Sequence, residues 1–258
     1  MMDTTLAVSD PASFRAWRAY ALEAKYEFLR VLRTPAFAIP SLLFPPLFYL
    51  LFGVLLNRGN GAAAHYLFAT YSVFGVMAPG LFGFGVAVAI ERERGWLALK
   101  RVAPMPPGAY LVAKMTMAMA FALIIYAMLA TLAATLGGVR LDPAQWLALA
   151  LIAMSGVLPF CALGLMIGSK ANAAASPAIV NFIYLPMAFL SGLWMPLTML
   201  PQFIRDIAVL WPPYHLAQLA LAATGREYAG AVAAHIGYLI VFTVACFAVA
   251  RRWLAKAG

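Results

Sequence analysis

Hydrophobic positions along this chain do not alternate with polar ones; they run together. Six stretches, 34–57, 66–90, 115–139, 143–169, 171–204 and 228–250, each hold 23 or more residues without an Asp, Glu, Lys or Arg. A bilayer core about 30 Å thick is crossed by about 20 apolar residues rising 1.5 Å each. In lipid a segment must satisfy its own backbone polar groups, and these runs lack the alternation of a barrel strand, so each predicts a helix. The expected fold is all-α integral membrane. Its six spans lie at about 36–56, 66–90, 112–136, 146–168, 176–194 and 229–250, within one transmembrane domain over 34–254.

The flanks and interruptions of these runs carry further predictions. In residues 12–33, Phe14, Trp17, Ala21, Ala24, Phe28, Val31 and Leu32 fall on one side of a 3.6-residue helix. Arg15, Arg18, Glu23, Lys25, Glu27, Arg30 and Arg33 cover most of the other side, with Leu22 and Leu29 at the boundary. This predicts an amphipathic helix in the headgroup plane, serving either as a surface anchor or as a lever from a cytoplasmic partner to the first span. Pro35, Pro40, Pro45 and Pro46 predict a kinked or partly unwound start to that span. Pro79-Gly80, Gly83 and Gly85 permit close helix packing or a hinge in the second. Residues 195–227 are apolar but broken by Pro196, Pro201, Pro212 and Pro213, which predicts short helices re-entering the outer leaflet between spans five and six.

Composition supports the membrane reading, with 65% hydrophobic and 10% charged residues against about 25% charged in soluble domains. Residues 1–33 carry charges throughout, so no cleavable signal is expected, and the 258 residues leave room for six spans with no soluble catalytic domain. Cys161 and Cys246 lie inside spans and are read as small packing residues. Six spans place Arg15, Arg18, Lys25, Arg30, Arg33, Arg92, Arg94, Lys100, Arg101, Lys114, Lys170, Arg251, Arg252 and Lys256 on one side, and Arg58, Arg140, Arg205 and Arg226 on the other. That bias of 14 to 4 puts both termini in the cytoplasm. A seventh span over 207–225 weakens it to 12 to 6 and has Pro212-Pro213 in its middle. The net charge of +9 therefore reports orientation and contact with anionic lipid, not nucleic acid.

Function classes are narrowed by what the spans lack. No acidic or basic residue is expected deep in a span, where ion-coupled carriers keep one. His235 is read as a hydrogen-bonded helix-end residue, and His65 and His215 as interfacial. There is no His-Glu-x-x-His motif or intramembrane acidic pair, so no metal, cofactor or catalytic group is expected in this chain. Gly164-Leu165-Met166-Ile167-Gly168-Ser169-Lys170 superficially resembles a phosphate loop, but its Lys follows the Ser and its glycine spacing is one short. It reads as a small-residue helix end. Any energy used comes from another chain.

Three places remain. The loop Glu91-Arg92-Glu93-Arg94-Gly95-Trp96-Leu97-Ala98-Leu99-Lys100-Arg101 alternates charge beside the membrane, as either a solvated face or a docking knob for a soluble partner. Asn181 and Tyr184 in the fifth span, followed by Ser191, either bond between helices or line a substrate path. The third place is the re-entrant segment.

At these residues the chain resembles the ABC-2-type permeases, membrane subunits of one class of ATP-binding-cassette transporter. The resemblance rests on Pro79-Gly80, Arg92-Glu93-Arg94-Gly95, Pro104, Leu111 and Lys114, then Asn181, Pro186, Phe189-Leu190-Ser191-Gly192, Pro196, Leu200-Pro201, Pro212 and Tyr214. It covers roughly 14–250 in matching order. Where the family often has Thr after the loop glycine and a second Glu two residues later, this chain has Trp96 and Ala98. The resemblance implies a half-transporter that pairs with a second permease copy or paralogue, each resting on a separate ATPase subunit. It implies that Glu91, Arg92, Glu93, Arg94, Gly95 and Trp96 form the coupling element. It also implies export of a lipid, drug or lipid-linked saccharide across a bacterial inner membrane. A stand-alone carrier or channel, or a non-transporting membrane partner, stays the alternative.

Overall fold

The computed structural model of the protein describes residues 16–57, 59–97, 99 and 108–256. Phe14, Arg15, Arg58, Ala98, Lys100, Arg101 and Pro104, on which expectations above fall, lie outside the described residues. In chain order the α-helices are α1 (Ala16–Leu32), α2 (Pro35–Phe48), α3 (Gly61–Glu93), α4 (Ala109–Thr135), α5 (Pro143–Gly156) and α6 (Leu158–Gly168). They continue as α7 (Ser176–Leu190), α8 (Gln202–Ala208), α9 (Pro212–Ala223) and α10 (Val232–Lys256). Five helical stretches are long and apolar enough to cross a membrane: Pro35–Leu55, Gly61–Glu93, Ala109–Thr135, Pro143–Gly168 and Val232–Leu254.

The expected fifth span is the exception. Its helix α7 has 15 residues, about 22 Å at 1.5 Å per residue, short of a 30 Å core. The helix expected to run to about 194 ends at Leu190, and the chain turns at Gly192, whose φ of 76° is left-handed. A Cβ there would also sit 2.6 Å from Leu197. Pro196 and Pro201 precede a 3-10 turn at Leu197–Met199 and the short α8.

The prolines of the first span act differently from the expectation. The helix is not unwound; α2 runs on without a break into a π-helical stretch at Tyr49–Leu55. Pro45 and Pro46 carry no N–H, and the Tyr49 N–H reaches both their carbonyls. The wider register continues as Leu56 N–H bonds Leu51 O at 2.9 Å. Tyr49 then folds its ring over Gly53, where a Cβ would lie 2.6 Å from it.

At the centre stands α3, about 50 Å long by its 33 residues, and α2, α4, α5, α6, α7 and α9 all pack on it. Its contact with α6 is backbone against backbone. A Cβ on Gly164 would meet Leu81 O at 2.8 Å and Gly80 O at 2.9 Å, and one on Gly168 would meet Gly85 O and Phe84 O at 2.7 Å. The glycine run that superficially resembles a phosphate loop is thus a small-residue helix contact. Both Cys161 and Cys246 are free and buried.

Candidate functional site

Three consecutive charges end α3, and a helix turns about 100° per residue, so they leave in three directions. Glu91 points into the protein and is 4% exposed. Arg92 reaches the C-terminus of α6, where its guanidinium donates to the carbonyls of Ser169 and Ala171, the latter at 2.7 Å. Glu93 accepts the Ala173 N–H at 2.8 Å. The helix then stops in the usual way. The Arg94 N–H bonds Ile90 O at 3.1 Å, and Gly95 takes a left-handed φ of 73°. Arg94 lies 5.3 Å from the centre of the Trp96 ring, and Trp96 is 41% exposed.

Thus the six residues of the expected coupling element divide. Glu91, Arg92 and Glu93 anchor the helix end to its neighbours, while Arg94, Gly95 and Trp96 face outward. Arg92 satisfies carbonyls that the end of α6 leaves without helical partners. Arg92→Gln is expected to lower the thermal unfolding midpoint, since hydrogen bonds to a charged donor are worth about 1.5–3 kcal/mol. Hydrogen exchange should rise locally at 169–173, and an unchanged midpoint would show that the clamp bears no load.

Behind this end lies a buried ion cluster that the sequence pattern does not announce. Lys114, on the first turns of α4, is fully buried (0% exposed). Its Nζ lies 2.7 Å from Glu27 Oε1 of α1 and 3.0 Å from Glu91 Oε1 of α3. Arg30 of α1 bridges the same two carboxylates, at 2.6 Å to Glu27 and 3.0 Å to Glu91. Tyr110 donates to Glu91 Oε2 at 2.5 Å. Two cations, Lys114 buried and Arg30 exposed, balance two buried anions, so the set carries no net charge. Burial would push the Glu27 carboxyl up, but the charge of Lys114 and hydrogen bonds from Arg30 and Lys114 outweigh it and hold the group below its ordinary value.

The cluster corrects one position of α1: Glu27, expected on the charged side, is buried, while Arg30 on that side is exposed and Phe28 and Val31 of the expected apolar side pack inward; Trp17 of that side is 67% exposed. Lys114, expected at the cytoplasmic edge of a span and not deep in it, is at that edge but fully buried by protein. The missed signal is that Glu91 and Lys114 each sit at the edge of an apolar run on the same side, with Glu27 about two turns before a third.

The proposed path residues do not meet in one place. Asn181 lies on the exposed face of α7. Tyr184 is buried, stacked on Phe74 at 5.3 Å and edge-on to Phe82 at 5.9 Å. Ser191 is buried and its hydroxyl has no hydrogen-bond partner among the described residues. A cavity of about 990 Å³ opens instead at the other end of the bundle from the ion cluster. Phe48, Phe52, Tyr66, Tyr71 and Trp194 line it together with Arg226. Tyr66 also ties α3 to the end of α7 by donating to Gly192 O at 2.8 Å.

A bundle of long apolar helices with a closed ion cluster at one end and an aromatic cavity at the other is the frame of a multi-pass membrane transport protein. The family model described as ABC-2 type transporter matches residues 19–224, and the chain belongs to that family. A protein of Bacillus subtilis (strain 168), "Putative transport permease YvfS", is 32% identical over 193 residues, covering 73% of this chain and 78% of that protein. The protein is a membrane transport permease of the ABC-2 type.

Proposed function

We propose that this chain is the permease subunit of an ABC exporter, with both termini in the cytoplasm of a bacterial cell and the membrane domain in its inner membrane. In this reading α7 is a short fifth span, α1 lies along the cytoplasmic interface, and α8 and α9 re-enter the outer leaflet. Two permeases pair, identical or paralogous, and each rests on a separate ATPase subunit that supplies all catalytic chemistry. No cofactor or metal is assigned to this chain, and its other contacts are with lipid.

The observation that carries this reading is the division of residues 91–96. Glu91, Arg92 and Glu93 fasten the end of α3 to α1, α4 and the α6–α7 turn. Arg94 and Trp96 are left as a compact cationic and aromatic knob. A knob fixed to the central helix from behind and free in front suits transmission of force from a soluble partner. Because α1 shares the Glu27–Lys114–Glu91 cluster with α3, motion of the knob and of the interface helix are one motion. The substrate is read as amphiphilic, since the cavity walls are aromatic and its rim carries Arg226 and Glu227. Asn181 and Ser191 remain proposed contacts along its path, with Tyr184 as an aromatic backing.

The test is the pair Arg94→Glu with Trp96→Ala, neither of which anchors the helix end. The variant should insert and unfold as the parent does, yet lose ATPase stimulation by about tenfold or more, the loss of an aromatic-arginine hot spot. Normal stimulation would defeat the knob assignment. One observation favours a second reading, a stand-alone ion-driven carrier: a Lys buried between two carboxylates is a group such carriers keep. Here each of those charges is already paired. Uphill transport by the purified chain alone in liposomes would establish the carrier instead.

A further inference from the structure

Away from the coupling end, α9 and α10 meet through two histidines. His215 Nδ1 and His235 Nδ1 lie 2.8 Å apart. The other nitrogen of each ring faces a backbone carbonyl, His215 Nε2 at 2.8 Å from Val209 O and His235 Nε2 at 2.6 Å from Ala229 O. A carbonyl only accepts, so both Nε2 atoms carry hydrogen. Two neutral imidazoles bring one hydrogen each, and both are then used. Their Nδ1 atoms would face each other as bare lone pairs at hydrogen-bond distance. Swapping a tautomer only moves the conflict, because it leaves an Nε2 lone pair against a carbonyl. Two charged rings conflict too, with N–H against N–H. Three contacts need three hydrogens, and only the pair with one extra proton has three.

We infer that His215 and His235 form a proton-binding site in which a single proton, shared between the two Nδ1 atoms, latches α9 to α10. The surroundings suit one charge and not two. Tyr238 of α10 stacks on His215 at 3.8 Å with its plane tilted 19°, and its hydroxyl donates to Leu210 O at 2.7 Å. Tyr214 of α9 stands edge-on to both rings, at 5.3 Å from His215 and 6.0 Å from His235. Gln218 of α9 accepts the Ala229 N–H at 2.8 Å, fixing the carbonyl turn that His235 uses. Among the described residues the groups against the rings are thus two phenols and two carbonyls, and the charge that His215 feels is that of His235. Burial pushes the His215 imidazole down from its ordinary value, Val209 O pulls it partly back, and the His235 charge pushes it down again. The 2.8 Å contact between the two Nδ1 atoms makes the proton a property of the pair and not of either ring. The first proton is favoured by the latched state, so the latch is present below that step and lost as pH rises through it. The second proton, at lower pH, splits the pair by like charge. Under the proposed topology the site faces the outside, so the latch reads external acidity; the site itself does not depend on that orientation.

The experiment is histidine-selective ¹⁵N NMR on the full chain in lipid nanodiscs, titrated over pH. The chain has three histidines, and His65→Gln leaves only the pair in view. The expected spectrum near neutrality has two protonated Nε2 sites and one Nδ1 proton coupled to both Nδ1 nitrogens. That signal should vanish in His215→Gln and on raising pH. Amide exchange over 224–231 should then quicken by about tenfold, as expected for a lost charge-assisted tie. Two rings titrating independently, or a shared proton whose removal leaves exchange unchanged, would overturn the latch. Stoichiometric uptake of Zn²⁺ or Cu⁺ by the two Nδ1 atoms in preference to the proton would also overturn it, making the pair a metal site. None of these outcomes touches the knob test at Arg94 and Trp96, so the two readings fail separately.

Discussion

Lys114→Met is expected to give the largest single loss of stability in this protein. It leaves Glu27 and Glu91 sharing Arg30 in a buried site, a net charge of minus one where there was none. Removing one partner from a buried ion pair costs about 3–5 kcal/mol, because the remaining charge is unsolvated and unpaired. The detergent-solubilised variant should unfold at a clearly lower temperature and show little ATP-driven activity. Lys114→Met combined with Glu27→Gln is the informative companion. Glu91 and Arg30 then balance each other, and most of the stability should return. ATPase stimulation should stay low, because α1 has lost its buried tie to α4 and kept only the exposed arm of Arg30. Full recovery of stimulation in the double variant would make the cluster a clamp on the fold with no part in transmission.

The same cluster predicts an acid limit. The folded state holds the Glu27 carboxyl below its ordinary value, so the folded state favours its charged form. Its contribution is complete above the unfolded value and disappears as pH falls through the folded one. Thermal midpoints measured down through the carboxylate range should fall, and Glu27→Gln should flatten that fall.

Five long helices were legible because each rests on a local property, an uncharged apolar run of sufficient length. The end of α7 was not, since it depends on Gly192 turning left-handed against Leu197, and hydropathy is blind to φ. The burial of Glu27 on α1 was missed for a related reason. A period of 3.6 sorts residues by polarity, but Glu27 is buried by a lysine 87 positions away, and no window along the chain contains both. The coupling loop was visible as a charge pattern, yet which of its charges work inward and which outward depends on what packs beside the end of α3. The histidine pair was the least legible. His215 reads as an interfacial residue and His235 as a hydrogen-bonded helix end, with nothing to connect them until the turn at 224–231 brings α9 back against α10.

The α3–α6 contact should be nearly as sensitive as the ion cluster, through sterics alone. In the double variant Gly164→Ala with Gly168→Ala, each new methyl would lie 2.7–3.0 Å from backbone atoms of α3. A flexible side chain can swing away from such a clash, but a helix backbone cannot, so the two helices must separate. Overpacking costs about 1–3 kcal/mol per site, and two sites on one contact do not simply add. Separation would also pull on Arg92, which binds the carbonyls just beyond Gly168. The damage therefore reaches the coupling end of α3. The expected result is a lower unfolding midpoint, a smaller monodisperse fraction on size exclusion, and faster exchange at 169–173. Gly237→Ala is the control, since a Cβ there on α10 has nothing within 4 Å, and helix propensity alone makes it neutral or slightly stabilising. If the Gly164/Gly168 double variant behaved like that control, α3 and α6 would not be in backbone contact, and the central helix would need another explanation for its rigidity.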